Sequence, residues 1–144
     1  EASRIVAGVA MTFEELLARD KPTLPMKKAT GKAWLPGHCH QKALDAVRPI
    51  EEVLGWIDGL DVTPIESSCC GMAGAFGYGA DSYDVSMQMA NENLLPAIRK
   101  ADSDDLLIAD GTSCRCQIKD GTNRTAKHVA LVLDSYLEDT KTTT

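Results

Sequence analysis

The order of hydrophobic runs predicts an α/β fold: a three-layer, mostly parallel, Rossmann-like sheet flanked by helices. Three observations carry that expectation. Short apolar or β-branched runs alternate with helix-length amphipathic stretches. The run Leu106-Leu107-Ile108-Ala109 is wholly apolar, as a central strand covered on both faces would be. Chain breakers stand at the junctions, at Pro36-Gly37, Asp58-Gly59 and Asp110-Gly111.

Each element follows from local chemistry. Thr12 with Glu15 reads as a capping box opening a short helix to about Arg19, with Phe13, Leu16 and Leu17 on one face. Pro22 and Pro25 make Lys21 to Thr30 a surface connection. Lys32 to Leu35 is a strand, and His38-Cys39-His40 opens a helix to about Val47. Pro49 suits the first turn of a further helix ending at Asp58-Gly59, with Glu51 and Glu52 near its positive end. Asp61 to Ile65 is the second strand, and Ser67 to Gly79 a glycine-rich loop. A long helical stretch spans Ser82 to Ala101, with Pro96 expected to kink or divide it. Leu106 to Ala109 is the third strand, and Asp110 to Ser113 a turn ending in helix-capping residues. The last helix runs from about Arg124 to Leu137, and the Thr-rich end, Lys141 to Thr144, reads as frayed.

The 144 residues suit one domain, and 44% hydrophobic residues suffice for a core. A net charge of −6 argues against nucleic-acid and membrane-surface roles. No apolar run approaches the ~18 residues of a membrane span, and no signal peptide is visible. The first residue is Glu1 rather than methionine, so the expectation is a segment of a longer chain.

The chemistry lies in the cysteines. Five of them fall in three groups: Cys39, Cys69-Cys70, and Cys114 with Cys116. An odd number fits a fully paired disulfide framework poorly. Each group directly follows an expected strand. The carboxyl ends of parallel strands lie along one edge, where α/β sheets bind ligands. Residues distant in sequence should therefore converge there. Thiolates are soft ligands suited to iron–sulfur clusters, zinc or copper(I). A cubane cluster takes four cysteines. Gly71, Gly74 and Gly77 would let backbone approach a bound group. His38 and His40 flank Cys39 as candidate ligands, proton donors or helix-start hydrogen bonders, and Arg115 and Arg124 are candidates to offset negative charge. A helix entered after Asp110 turns ~100° per residue, which would point Cys116 well away from Cys114. Two other readings remain open: a zinc-stabilised interaction module, and a thiol–disulfide redox protein using vicinal Cys69-Cys70.

Three blocks in order carry a resemblance: His38-Cys39-His40-Gln41-Lys42-Ala43-Leu44, Cys69-Cys70-Gly71-Met72-Ala73-Gly74-Ala75-Phe76-Gly77-Tyr78, and Asp110-Gly111-Thr112-Ser113-Cys114-Arg115. They resemble the cysteine-rich CCG domain of heterodisulfide reductase and of the iron–sulfur subunits of glycolate oxidase and anaerobic glycerol-3-phosphate dehydrogenase. They are most similar to the C-terminal region of large FAD-linked oxidases that resemble D-lactate and D-2-hydroxyglutarate dehydrogenases. The likeness runs from about Gly31 to Leu137. It implies a cluster-binding core over 31–138 preceded by a helix and connection over 1–30, at the C-terminal end of a longer chain. It further implies electron transfer through an iron–sulfur cluster of [4Fe-4S] type, held by Cys39, Cys69, Cys70 and Cys114, with Cys116 as a fifth candidate. FAD is then expected in another domain or subunit, with a ferredoxin-like iron–sulfur domain as a further partner. The setting is cytoplasmic, or peripheral at the inner membrane through partners. The family pattern ends in C-x-x-C, whereas this chain has Cys114-Arg115-Cys116; that leaves cubane and non-cubane clusters both open.

Overall fold

The computed structural model describes residues 1–67 and 69–138. The Thr-rich end lies outside the described residues. In chain order the elements are α1 (Ala2–Val9), α2 (Phe13–Asp20), β1 (Gly31–Pro36), α3 (Cys39–Ala43), α4 (Arg48–Leu54), β2 (Leu60–Ile65), a single 3-10 turn (Phe76–Tyr78), α5 (Tyr83–Glu92), α6 (Leu94–Lys100), β3 (Leu106–Leu107), α7 (Thr112–Thr122) and α8 (Val129–Tyr136).

The strands form one all-parallel sheet in the order β2-β1-β3. Ala33 faces Val62 on one side and Leu106 on the other; Trp34 likewise faces Thr63 and Leu107. The α/β expectation holds, but the central strand is β1. The apolar run 106–109 is an edge, shielded by the segment leading into α8: Lys127 N–H donates to Leu107 O at 2.8 Å and Ala109 N–H to Lys127 O at 2.9 Å. An all-apolar run reports that both faces are covered; it carries no information about neighbours in the sheet.

Side chains alternate between two cores, one per face. Ala33, Leu35 and Ile108 join Ile50, Val53, Leu54, Val129 and Val132 on one side. Trp34, Leu107 and Ala109 join Leu94, Leu95, Ile98 and Ile118 on the other. Helices α2, α4 and α8 thus lie against one face and α5, α6 and α7 against the other, which makes three layers.

Several boundaries differ from expectation. The stretch after Ser82 is divided at Asn93 (φ −139°), where Pro96 removes a helical donor and crowds the carbonyl of Glu92. Helix α3 stops at Ala43, because Asp45 turns left-handed (φ 55°). The capping box of α2 is present: Thr12 Oγ1 accepts Glu15 N–H and Glu15 Oε2 accepts Thr12 N–H. Helix α1 was not anticipated. Nor was the length of α7, whose composition is mostly polar. Helix α8 starts at Val129 rather than Arg124, because His128 caps it: its Nδ1 accepts Ala130 N–H at 3.1 Å.

Candidate functional site

In this topology the chain passes from β1 to β2 on one side, then returns to place β3 on the other side of β1. Such a reversal opens a crevice at the carboxyl ends of the strands. The cysteines lie there. Cys39 opens α3 just after β1, Cys69 and Cys70 follow β2, and Cys114 lies in the first turn of α7 after β3. His38, Cys39, His40, Cys69, Cys70, Ala73, Gly74 and Ser113 line a pocket of about 470 Å³. No disulfide joins the cysteines.

The four thiols form a hydrogen-bonded set. Cys114 S–H donates to Cys70 Sγ at 3.3 Å. That bond, chiefly, pushes the Cys70 thiol down to about 6, and it holds the Cys114 thiol far above the usual range, together with burial. Cys39 and Cys69 are hydrogen-bonded to each other, and Gly71 N–H donates to Cys69 Sγ at 3.3 Å. The Cys69 thiol is nonetheless raised, mainly by burial. Among the described residues, no three thiols lie within 4.8 Å of one another. Four thiolates on one zinc would sit ~3.8 Å apart, from Zn–S bonds of ~2.3 Å in a tetrahedron; the Cys114–Cys70 pair is within that spacing.

The backbone around the thiols is tightly specified. Gly71 (φ 86°) lies so close to α5 that a Cβ would fall 2.2 Å from Ser86 O, whereas Gly74 (φ 73°) is open on its Cβ side. Gly77 packs against Met72 and Ser86. Ser113 Oγ donates to Gly74 O at 3.0 Å and ties α7 to the loop. Lys42 Nζ donates to Ser67 O and Oγ, joining α3 to the end of β2.

His38 and His40 stack, with ring centroids 5.3 Å apart, and His38 Nδ1 accepts His40 N–H at 3.3 Å. Burial, then the neighbouring His40, pushes His38 below the usual histidine value. Both rings line the pocket.

The structure does not bring Cys116 to this set. It lies beside Tyr78, Lys119 and Asp120 in a separate hollow of about 390 Å³, and its hydrogen bond with Tyr78 pushes the phenol up. The arginines also point elsewhere. Arg115 donates to Ala109 O, Asp110 O and Thr112 Oγ1, so it closes the end of β3. Arg124 donates to the carbonyls of Ile98, Ala101, Asp102 and Asp105, so it joins α6 to β3.

Three further residues shape the site; in the sequence they stood only inside the blocks that carry the resemblance. A Cβ on Gly111 would lie 2.3 Å from His38 Cδ2 and 3.2 Å from Cys114 Sγ, so a side chain there would displace the His38 ring. Asp110 Oδ2 accepts Gln41 Nε2–H at 2.9 Å, and Gln41 Oε1 accepts His38 N–H at 3.0 Å. Their signals in the sequence were the polar dipeptide Asp110-Gly111 after an apolar strand and the place of all three within the motif blocks.

Comparison with known proteins gives the same direction. The chain is similar to one of the subunits of anaerobic glycerol-3-phosphate dehydrogenase of Escherichia coli K12, 30% identical over 115 residues, which cover 80% of this chain and 28% of that protein. It is also similar to D-2-hydroxyglutarate dehydrogenase of Pseudomonas putida, 30% identical over 112 residues, which cover 76% of this chain and 11% of that protein. This chain therefore spans only a minor part of either relative's length. No protein-family model and no solved structure matches it. Among the described residues, no helix is long and apolar enough to cross a membrane.

Proposed function

We propose that this chain is the iron–sulfur, electron-transfer segment of a dehydrogenase, a cysteine-rich domain of the CCG type. The observation that carries the reading is the convergence of Cys39, Cys69, Cys70 and Cys114 at one sheet edge. Its similarity to regions of two dehydrogenases supports the same reading.

Ligation needs thiolates, and Cys70 is already prepared: its hydrogen bond from Cys114 favours the charged form. The four cysteines would hold a [4Fe-4S]-type cluster, which supplies one-electron transfer when bound. Gly71 N–H, donating to Cys69 Sγ, disperses thiolate charge, and such hydrogen bonds tune cluster potential. His38 and His40 line the pocket, where they could hold or deliver a proton. Gly71, Gly74 and Gly77 set the loop, and Arg115 fixes the entry to α7 rather than touching the bound group. Substrate oxidation belongs on FAD in another domain or subunit, with a ferredoxin-like domain as the relay; the setting is cytoplasmic or peripheral to the inner membrane through those partners.

The test is serine replacement of each cysteine in the full-length protein, with iron and sulfide measured after anaerobic purification, along with substrate-to-acceptor electron transfer. Serine at 39, 69, 70 or 114 should strip iron or shift the cluster potential, and serine at 116 should do neither. Iron loss from Cys116→Ser as complete as from Cys39→Ser would replace this reading with a five-cysteine cluster. Stoichiometric zinc in place of iron would replace it with a structural metal module.

A further inference from the structure

Helix α1 turns its apolar side chains to the outside. Ala2, Ile5, Val6 and Val9 stand at i, i+3, i+4 and i+7, which gathers them on one face. Arg4 and Gly8 fall on the opposite face, at ~100° per residue. Ile5 is 65%, Val6 63% and Val9 67% exposed, and no residue of α1 is buried. The apolar surface continues into α2, where Phe13 is 46% exposed and lines, with Leu17, Leu24, Leu133 and Leu137, a hollow of about 300 Å³.

Local chemistry does not hold this helix. Glu1 makes no side-chain cap, no acid stands in the first turn and no base in the last, and Gly8 favours the unfolded chain. Eight residues make a marginal helix in water unless one face is packed. A cover for the stripe is therefore required, and its nature can be argued. A membrane surface fits poorly, because α1 has one basic residue, Arg4, where a surface-lying helix has a Lys/Arg-rich polar face. A second copy also fits poorly: four side chains fall far short of the ~20–30 residues a side of a stable interface. A surface on the same polypeptide needs no such area, because linkage makes the contact intramolecular. Chain of the necessary length exists in the relatives, where this chain covers only 28% and 11% of the protein.

We propose that the face formed by Ala2, Ile5, Val6 and Val9 docks into an apolar, uncharged groove on another domain of the same polypeptide. This inference rests on the reading of the chain as a segment of a longer dehydrogenase. The spacing of the four side chains is that of a helix laid in a groove, with Ser3 and Arg4 left in water. Three residues, Ala10 to Thr12, join α1 to α2, which lies with α4 and α8 against one face of the sheet. So short a connection leaves α1 little freedom. The contact therefore fixes the second domain on the α2 side of the sheet, and with it that domain's place relative to the edge that carries the thiols.

The test is amide hydrogen exchange, read by mass spectrometry over residues 2–11, in the full-length protein and in the 144-residue chain. In the 144-residue chain these amides should exchange almost unprotected. In the full-length protein they should exchange at least roughly tenfold more slowly. The double variant Ile5→Glu/Val9→Glu should abolish that protection. In the 144-residue chain the same variant should shift the thermal midpoint by no more than roughly 2 °C, because both side chains are exposed there; that control separates lost docking from lost folding. Equal exchange in the two proteins, or protection that survives the double variant, would overturn the contact. So would a 144-residue chain that dimerises through this face in analytical ultracentrifugation, or that sediments with phosphatidylglycerol vesicles until Ile5 and Val9 are replaced. The readout is independent of iron: protection found in an iron-free protein leaves this inference standing while the cluster reading falls, and an unprotected α1 in iron-loaded protein sinks this inference alone.

Discussion

Replacing Gly71 and Gly74 by alanine, one at a time, separates backbone strain from close packing at the cysteine loop. Both residues are left-handed, with φ of 86° and 73°. An alanine in that region costs about 1 kcal/mol relative to glycine. At Gly74 nothing lies within 4 Å of the new Cβ, so strain is the whole effect. At Gly71 the Cβ would fall 2.2 Å from Ser86 O, 2.9 Å from its carbonyl carbon and 3.1 Å from its Cα. Ser86 cannot yield easily: it is 1% exposed within α5, and Gln117 Nε2 donates to both its O and its Oγ. Overpacking of this kind adds about 1–3 kcal/mol, which brings Gly71→Ala to about 2–4 kcal/mol. At roughly 4 °C per kcal/mol for a domain of this size, the midpoint should fall by about 4 °C for Gly74→Ala and about 8–16 °C for Gly71→Ala. Thermal unfolding followed by circular dichroism reads both. Because the loop rather than α5 must move, the proposed function adds that Gly71→Ala should lower iron content in the full-length protein, while Gly74→Ala retains it. Equal midpoint losses in the two variants would refute the close approach of Gly71 to Ser86.

Two further outcomes follow from particular bonds. Arg124→Met keeps the aliphatic stem but removes hydrogen bonds to Ile98, Ala101, Asp102 and Asp105 carbonyls; a loss of about 2–4 kcal/mol is expected by denaturant titration, and a neutral result would show that water replaces the guanidinium there. In the iron-free chain, ultraviolet thiolate absorbance should reveal one thiolate forming near pH 6, absent from Cys70→Ser. The Cys70 pKa is depressed on folding from an ordinary value of 9.0, so between about 6 and 9 the unfolded state holds the extra proton and stability should rise with pH. The raised Cys114 pKa acts oppositely, and stability should fall as pH climbs past 9. A pH-stability profile unchanged by Cys114→Ala would show that the Cys114–Cys70 hydrogen bond does not set this behaviour.

The amino-acid sequence by itself determined the class of fold and the place of the cysteines. Periodicity exposes which residues need cover, and glycine, proline and cap residues mark where elements end; these are local properties. They account for β1, β2, the capping box of α2 and the division of the stretch after Ser82. They also placed Cys39, Cys69-Cys70 and Cys114 after successive strands, from which convergence follows once the strands are parallel. Tertiary structure alone decided what depends on partners distant in sequence. The run 106–109 became an edge because β1 pairs with both β2 and β3, and Lys127 covers its outer side. Helix α7 forms although its sequence is mostly polar, because Cys114, Gln117 and Ile118 have a core to enter. Arg115 and Arg124 were drawn to carbonyls at the ends of α6 and β3 that their own segments do not reveal. Glu14 looks like any first-turn acid in a helix, and only the folding of α2 against the end of β3 and the cap of α8 buries it beside Asp110 and His128, because burial is a property of what surrounds a residue and not of the residue.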